Sequence, residues 1–102
     1  MSKMHVGLMA ATVGLFGQAA AAQPVEFQYW YGLTGDLGAA VQATCDRFNA
    51  SQSEYVITCV GQDSYDAAVQ NAIAAFRAGQ HPTILQSFDA GTADLMLSGE
   101  FY

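Results

Sequence analysis

From Val25 onward, runs rich in aromatic and β-branched residues alternate with runs of helical period, and this alternation restricts the chain to one architectural class. Val25 to Tyr31 has Val25, Phe27 and Tyr29 alternating, the mark of a strand, and Gly32 to Gly35 ends it. The next apolar positions, Leu37, Val41, Cys45 and Phe48, fall on one helical face, with Thr34 at the N-cap and Asp36 in the first turn of a helix reaching about Asn49. Tyr55 to Val60 predicts a second strand, followed by turn-like Gly61 to Ser64. A second helix, Tyr65 to Ala78, places Val69, Ile73 and Phe76 on one face, has Ser64 as its N-cap and is stopped by Gly79 and Pro82. Thr83 to Phe88 predicts a third strand, and Thr92 to Leu97 the opening turns of another helix after the loop Asp89 to Gly91. The order β-α-β-α-β-α implies an α/β fold with right-handed crossovers and a mostly parallel sheet covered by helices.

The first 22 residues have a different character. Lys3 supplies a positive n-region, Val6 to Phe16 an apolar stretch of 11 residues, and Ala20, Ala21 and Ala22 the small residues of a cleavage site. This pattern predicts a secretory signal peptide over 1–22, cut after Ala22. The apolar stretch is too short to serve as a retained membrane-spanning helix. The mature part, 23–102, then carries Arg47 and Arg77 against nine acids, a net charge of −7. So acidic a chain offers no surface for nucleic acid.

Residues 23–102 predict only three strands, with two open sheet edges and no closing element after Phe101 and Tyr102. The expectation is the N-terminal part of a longer protein; the alternative is a complete small domain.

Familiar catalytic and cofactor signals are absent: no phosphate loop, dinucleotide fingerprint, Gly-x-Ser-x-Gly elbow or paired-His zinc motif occurs. No catalytic residue, metal ligand or cofactor is therefore assigned. Cys45 and Cys59 lie 14 residues apart, on the first helix and in the second strand. Export permits a disulfide between them, and two small buried apolar side chains are the other reading. Thr34 and Gly35 open a helix whose free N–H groups suit an anion, but Asp36 already places negative charge there and favours simple capping.

In an open parallel α/β sheet, ligands bind beyond the carboxyl ends of the strands. Trp30 and Tyr31 end the first strand, Tyr65 follows the loop after the second, and Asp89 follows the third. Rings that pack against C–H faces and a carboxylate that accepts from hydroxyls suit a polyhydroxylated ligand. Each residue has a plainer reading too: Trp30 as core filler, Tyr65 as a local packing residue, Asp89 as a cap for the last helix.

The run Phe48-Asn49-Ala50, Tyr55, Tyr65, the stretch Ala72 to Gln86 and Gly91-Thr92-Ala93 together resemble the N-terminal region of the periplasmic solute-binding proteins of ABC importers, family 1 of the extracellular solute-binding proteins. Within that family the chain is most similar to the members that bind sn-glycerol 3-phosphate. The resemblance implies the first lobe of a type II periplasmic binding fold, with a ligand held between two lobes and delivered to membrane permease subunits. It implies a periplasmic location, a monomer when full length, and no enzymatic activity. A tyrosine after the second strand and an acidic residue after the third contact the ligand in that family, matching Tyr65 and Asp89, with Trp30 as a further candidate. Tyr31 and Gly32 depart from the His-Ser that usually follows the tryptophan. The implied ligand is sn-glycerol 3-phosphate or a glycerophosphodiester, with the phosphate held by residues outside this chain. A sugar or maltodextrin binder is the alternative within the family. An exported α/β enzyme using Asp89 as acid or base is the alternative of another class.

Overall fold

The computed structural model describes residues 2–4, 14 and 22–101. The apolar stretch Val6 to Phe16 of the expected signal peptide, Gly14 aside, and Ala20 and Ala21 at its cleavage site lie outside the described residues.

Strand β1 (Val25–Tyr31), helix α1 (Gly35–Ser51), strand β2 (Tyr55–Gly61), helix α2 (Tyr65–Arg77), strand β3 (Ile84–Leu85), a 3₁₀ turn (Asp89–Gly91) and helix α3 (Thr92–Ser98) follow one another in the expected order. The sheet order is β2-β1-β3, and both pairings are parallel. The chain passes from β1 outward to β2 and then back across β1 to β3, so the topological switch point lies between β1 and β3.

Alternation along β1 divides its side chains between the two sheet faces. Phe27, Tyr29 and Tyr31 belong to the face that α1 covers. Phe27 meets Phe48 edge to face with ring centroids 6.4 Å apart, and the buried Tyr31 hydroxyl accepts from Gln42 Nε2 at 2.8 Å. Gln28 and Trp30 belong to the other face and share a depression with Ala75 of α2.

Helix α1 also covers the outer edge of β2. Asn49 Nδ2 donates to the Ile57 carbonyl and Asn49 Oδ1 accepts from the Ile57 N–H, both at 2.9 Å. Gln52 repeats the arrangement on Tyr55, with both bonds at 2.8 Å, and Gln42 Nε2 donates to the Cys59 carbonyl at 2.7 Å. Residues 55, 57 and 59 are the alternate positions whose backbone groups point away from β1, so three side-chain amides stand in for a missing strand. Cys45 and Cys59 are joined in a disulfide with their Cα atoms 6.5 Å apart, fastening the same helix to the same strand.

Helix α2 buries Ala68, Val69, Ala72 and Ile73. Ser64 Oγ accepts from the Ala67 N–H at 3.0 Å, the cap expected from the sequence. The helix ends in a Schellman arrangement, with Gln80 N–H on the Ala75 carbonyl at 2.8 Å and Gly79 N–H on the Phe76 carbonyl at 2.9 Å.

Three expectations change. Thr34 occupies the N-cap of α1, and its carbonyl accepts from the Gly38 N–H at 3.2 Å, but its side chain makes no capping bond. Only Cys45 of the expected apolar face of α1 is buried. Leu37 and Phe48 stay 63% and 39% exposed beside an open depression of about 510 Å³ shared with Tyr29 and Val41, because α1 sits over the β2 side of the sheet. The third strand is two residues long rather than six, although backbone bonds from Thr83 N–H to Gln28 and from Gln86 N–H to Trp30 extend the pairing on either side. Beyond Gln86 the chain turns away toward the 3₁₀ turn.

Candidate functional site

The carboxyl ends of the three strands meet in one junction. As β1 leaves the sheet, three backbone groups at its exit find partners from neighbouring segments. Gln86 N–H donates to the Trp30 carbonyl at 2.8 Å, and Gln62 N–H donates to the Tyr31 carbonyl at 2.8 Å. Gly32 N–H, past the end of the ladder, donates to the Gln86 side-chain Oε1 at 3.0 Å. Gly32 lies so close to the start of α2 that a Cβ there would come within 2.5 Å of Ser64 C and Tyr65 N. Only glycine allows this approach of backbone to backbone.

Tyr65 is the first residue of α2 and is 38% exposed. Its ring packs on Phe88, with centroids 5.5 Å apart and planes tilted by 35°. Phe88 is seated in turn by Gly91, where a Cβ would come within 3.0 Å of the Phe88 ring and 3.2 Å of Val69 Cγ2. Asp89, next to Phe88, is exposed and opens the 3₁₀ turn, its Oδ1 accepting from the Ala90 N–H at 2.8 Å. The fold therefore brings Tyr65 to the loop that carries Asp89 at one rim of the sheet.

Trp30 is not brought to them. Its indole N–H donates to Gln28 Oε1 at 2.8 Å, and it lines a depression with Ala75, Gln80 and His81 at the far end of α2. Strand alternation accounts for this: Trp30 belongs to the α2 face and its neighbour Tyr31 to the α1 face, so neither ring rises over the rim. Tyr31, at 4% exposure, is a core residue.

The charged side chains that neighbour Tyr65 and Phe88 in the chain are acidic, Asp66 in the first turn of α2 and Asp89 on the 3₁₀ turn. Arg77 lies 12 residues along α2 from Tyr65, about 18 Å down the helix axis, and pairs with Glu100 at 3.4 Å. Arg47 lies on α1, donating to Thr44 Oγ1 at 3.0 Å. Burial raises the Tyr29 phenol above its usual range, and the nearby Tyr31 and Tyr65 phenols add to the shift. Among the described residues no cluster of His, Cys, Asp or Glu is placed to hold a metal ion, and no helix is long and apolar enough to cross a membrane. The arrangement can stack a ring against an apolar ligand face and accept hydrogen bonds from ligand hydroxyls.

Sequence reasoning passed over Gln86, Gly32 and Phe88. Gln86 is the first polar residue after the apolar pair of β3, the one available signal, and Phe88 is hidden by its apolar character, which suits a strand equally well.

No protein-family model matches the chain. The sn-glycerol-3-phosphate-binding periplasmic protein UgpB of Yersinia enterocolitica is 42% identical over 73 residues, 72% of this chain and 17% of that protein. The protein of the same name from Yersinia pestis is 36% identical over 97 residues, covering 95% of this chain and 22% of the relative. That of Salmonella paratyphi A is 36% identical over 99 residues, covering 96% and 22% respectively. The chain spans about a fifth of the length of the curated relatives it matches. Over the segment it spans, the chain belongs to the family of periplasmic solute-binding proteins that these relatives represent.

Proposed function

We propose that residues 23–102 are the first part of the first lobe of an exported solute-binding protein, which captures sn-glycerol 3-phosphate or a glycerophosphodiester in the periplasm and hands it to the permease of an ABC importer. The observation that carries this reading is similarity to proteins named for that ligand along 95% of the chain, Tyr65 and the Asp89 loop included. In this reading Tyr65 packs against the glycerol backbone and Asp89 accepts from its hydroxyls. In the same reading the hydroxyl end of the ligand faces this lobe and the phosphate faces the opposite one, which is consistent with the absence of an arginine beside Asp89. Closure of the two lobes then stabilises the bound state, because each supplies contacts the other lacks. The complete protein acts as a monomer, and residues 1–22 are removed on export.

A second reading is favoured by one observation. An aromatic pair, Tyr65 with Phe88, and a carboxylate without a nearby arginine also suit a neutral sugar. Catalysis is disfavoured, because Asp89 stands exposed on a turn with its Oδ1 engaged by the Ala90 N–H, and the relatives are named as binding proteins. Calorimetry on the complete protein against sn-glycerol 3-phosphate and maltose separates the two ligand readings: saturable heat with the phosphate and none with maltose supports the first, and the reverse supports the second.

A further inference from the structure

We propose that Gln86 is a positioning residue for the ligand crevice, holding Tyr65 in place through Gly32; this rests on the reading of Tyr65 as a ligand contact. The contacts form a closed circuit. The Gln86 side-chain oxygen holds the Gly32 N–H at 3.0 Å. Gly32 lies against the Ser64–Tyr65 peptide so closely that a single added carbon would come within 2.5 Å of it. The Tyr65 ring rests on Phe88 at 5.5 Å, and Phe88 is two residues beyond Gln86 in the chain.

The physical need for Gln86 arises where the sheet ends. Strand β3 stops at Leu85, so the Gly32 N–H finds no carbonyl in a ladder, and a part-buried N–H without an acceptor is costly. Glutamine carries an amide on a stem long enough to reach back and supply the missing carbonyl. Its own backbone N–H meanwhile holds the Trp30 carbonyl at 2.8 Å, so main chain and side chain of one residue fix both ends of the β1 exit. Losing the side-chain bond frees the Gly32 loop, and the first turn of α2 loses the wall that sets its position. A shift of Tyr65 relative to Asp89 misaligns the two groups that the ligand must meet together.

The test uses the complete protein with Gln86→Met, which keeps length without the acceptor, and Gln86→Glu, which keeps a side-chain oxygen. Amide hydrogen exchange at Gly32 and at Ala67, whose N–H holds the Ser64 cap in the first turn of α2, is expected to accelerate at least about tenfold in Gln86→Met, with Ala72 and Ile73 in the α2 core unchanged and protection restored in Gln86→Glu. Affinity for the probe that binds, sn-glycerol 3-phosphate or maltose, is expected to fall about threefold to tenfold in Gln86→Met. Gln86→Asn, one methylene too short to reach Gly32, gives the same pattern if the methionine variant fails to accumulate. Unchanged exchange at Gly32, or acceleration spread evenly over the α2 core, overturns the positioning role. Affinity lost in Tyr65→Ala but kept in Gln86→Met overturns it while leaving the binding reading intact. If Tyr65→Ala binds as the unaltered protein does, the binding reading falls and the positioning role with it.

Discussion

Asn49 and Ile57 exchange two hydrogen bonds, side-chain amide to backbone, each 2.9 Å long. The pair reproduces with one side chain what a neighbouring strand would supply, on the open edge of a three-stranded sheet. Asn49→Leu keeps the volume and removes both bonds, leaving a part-buried N–H and carbonyl to find water. The expected loss is about 1–3 kcal/mol of unfolding free energy, read as a lower urea midpoint. The uncovered edge is also expected to promote self-association, seen as concentration-dependent sedimentation. An unchanged midpoint would show that the amide does not support the strand.

The Cys45–Cys59 disulfide closes a loop of 14 residues between α1 and β2. Cross-linking a loop of that length removes unfolded-state freedom worth about 3 kcal/mol. Reduction of the protein is expected to add two daltons and to lower its thermal midpoint, and a Cys45→Ala, Cys59→Ala variant is expected to match the reduced form. Two thiols that alkylate fully without reductant would contradict the bridge.

Tyr29 makes a prediction about alkaline pH. Its phenol titrates above the usual value of 10.0 because burial and the neighbouring Tyr31 and Tyr65 phenols disfavour its ionised form. The folded state therefore keeps the Tyr29 proton over a range where the unfolded state has lost it. Its stabilising contribution is fully present below pH 10 and is lost as pH rises through the higher folded value. Phenolate absorbance is expected to show a tyrosine component that ionises above the usual value of 10.0, absent from Tyr29→Phe. A late component that persists in Tyr29→Phe would contradict the assignment.

The sequence made the alternation of strands and helices legible, because a period of two in Val25 to Tyr31 and a helical period in α2 leave little ambiguity. It also carried the Ser64 cap and the proximity of Tyr65 to the Asp89 loop, since both follow from where loops fall in a parallel sheet. It did not carry the side to which Trp30 turns. A residue one position before the end of a strand can face either layer, and the register that decides it comes from pairing with Val60 and Leu85. The edge-covering roles of Gln42, Asn49 and Gln52 were equally hidden, because polar residues on a helix look solvated until an unpaired strand is placed beside them. The shortness of β3 has a similar origin: Thr83 to Phe88 has strand composition throughout, but the Gln86 side chain takes over the Gly32 N–H where the ladder ends.

The central claim is that Tyr65 and Asp89 form the ligand-facing rim of this lobe, and titration calorimetry of the complete protein with sn-glycerol 3-phosphate tests it most directly. Tyr65→Ala and Asp89→Ala are each expected to weaken binding by about 1–3 kcal/mol relative to the unaltered protein, as the loss of a buried ligand contact does. Their thermal midpoints without ligand should stay close to that of the unaltered protein, since both residues are substantially exposed. Affinity unchanged in both variants would contradict the assignment of the site.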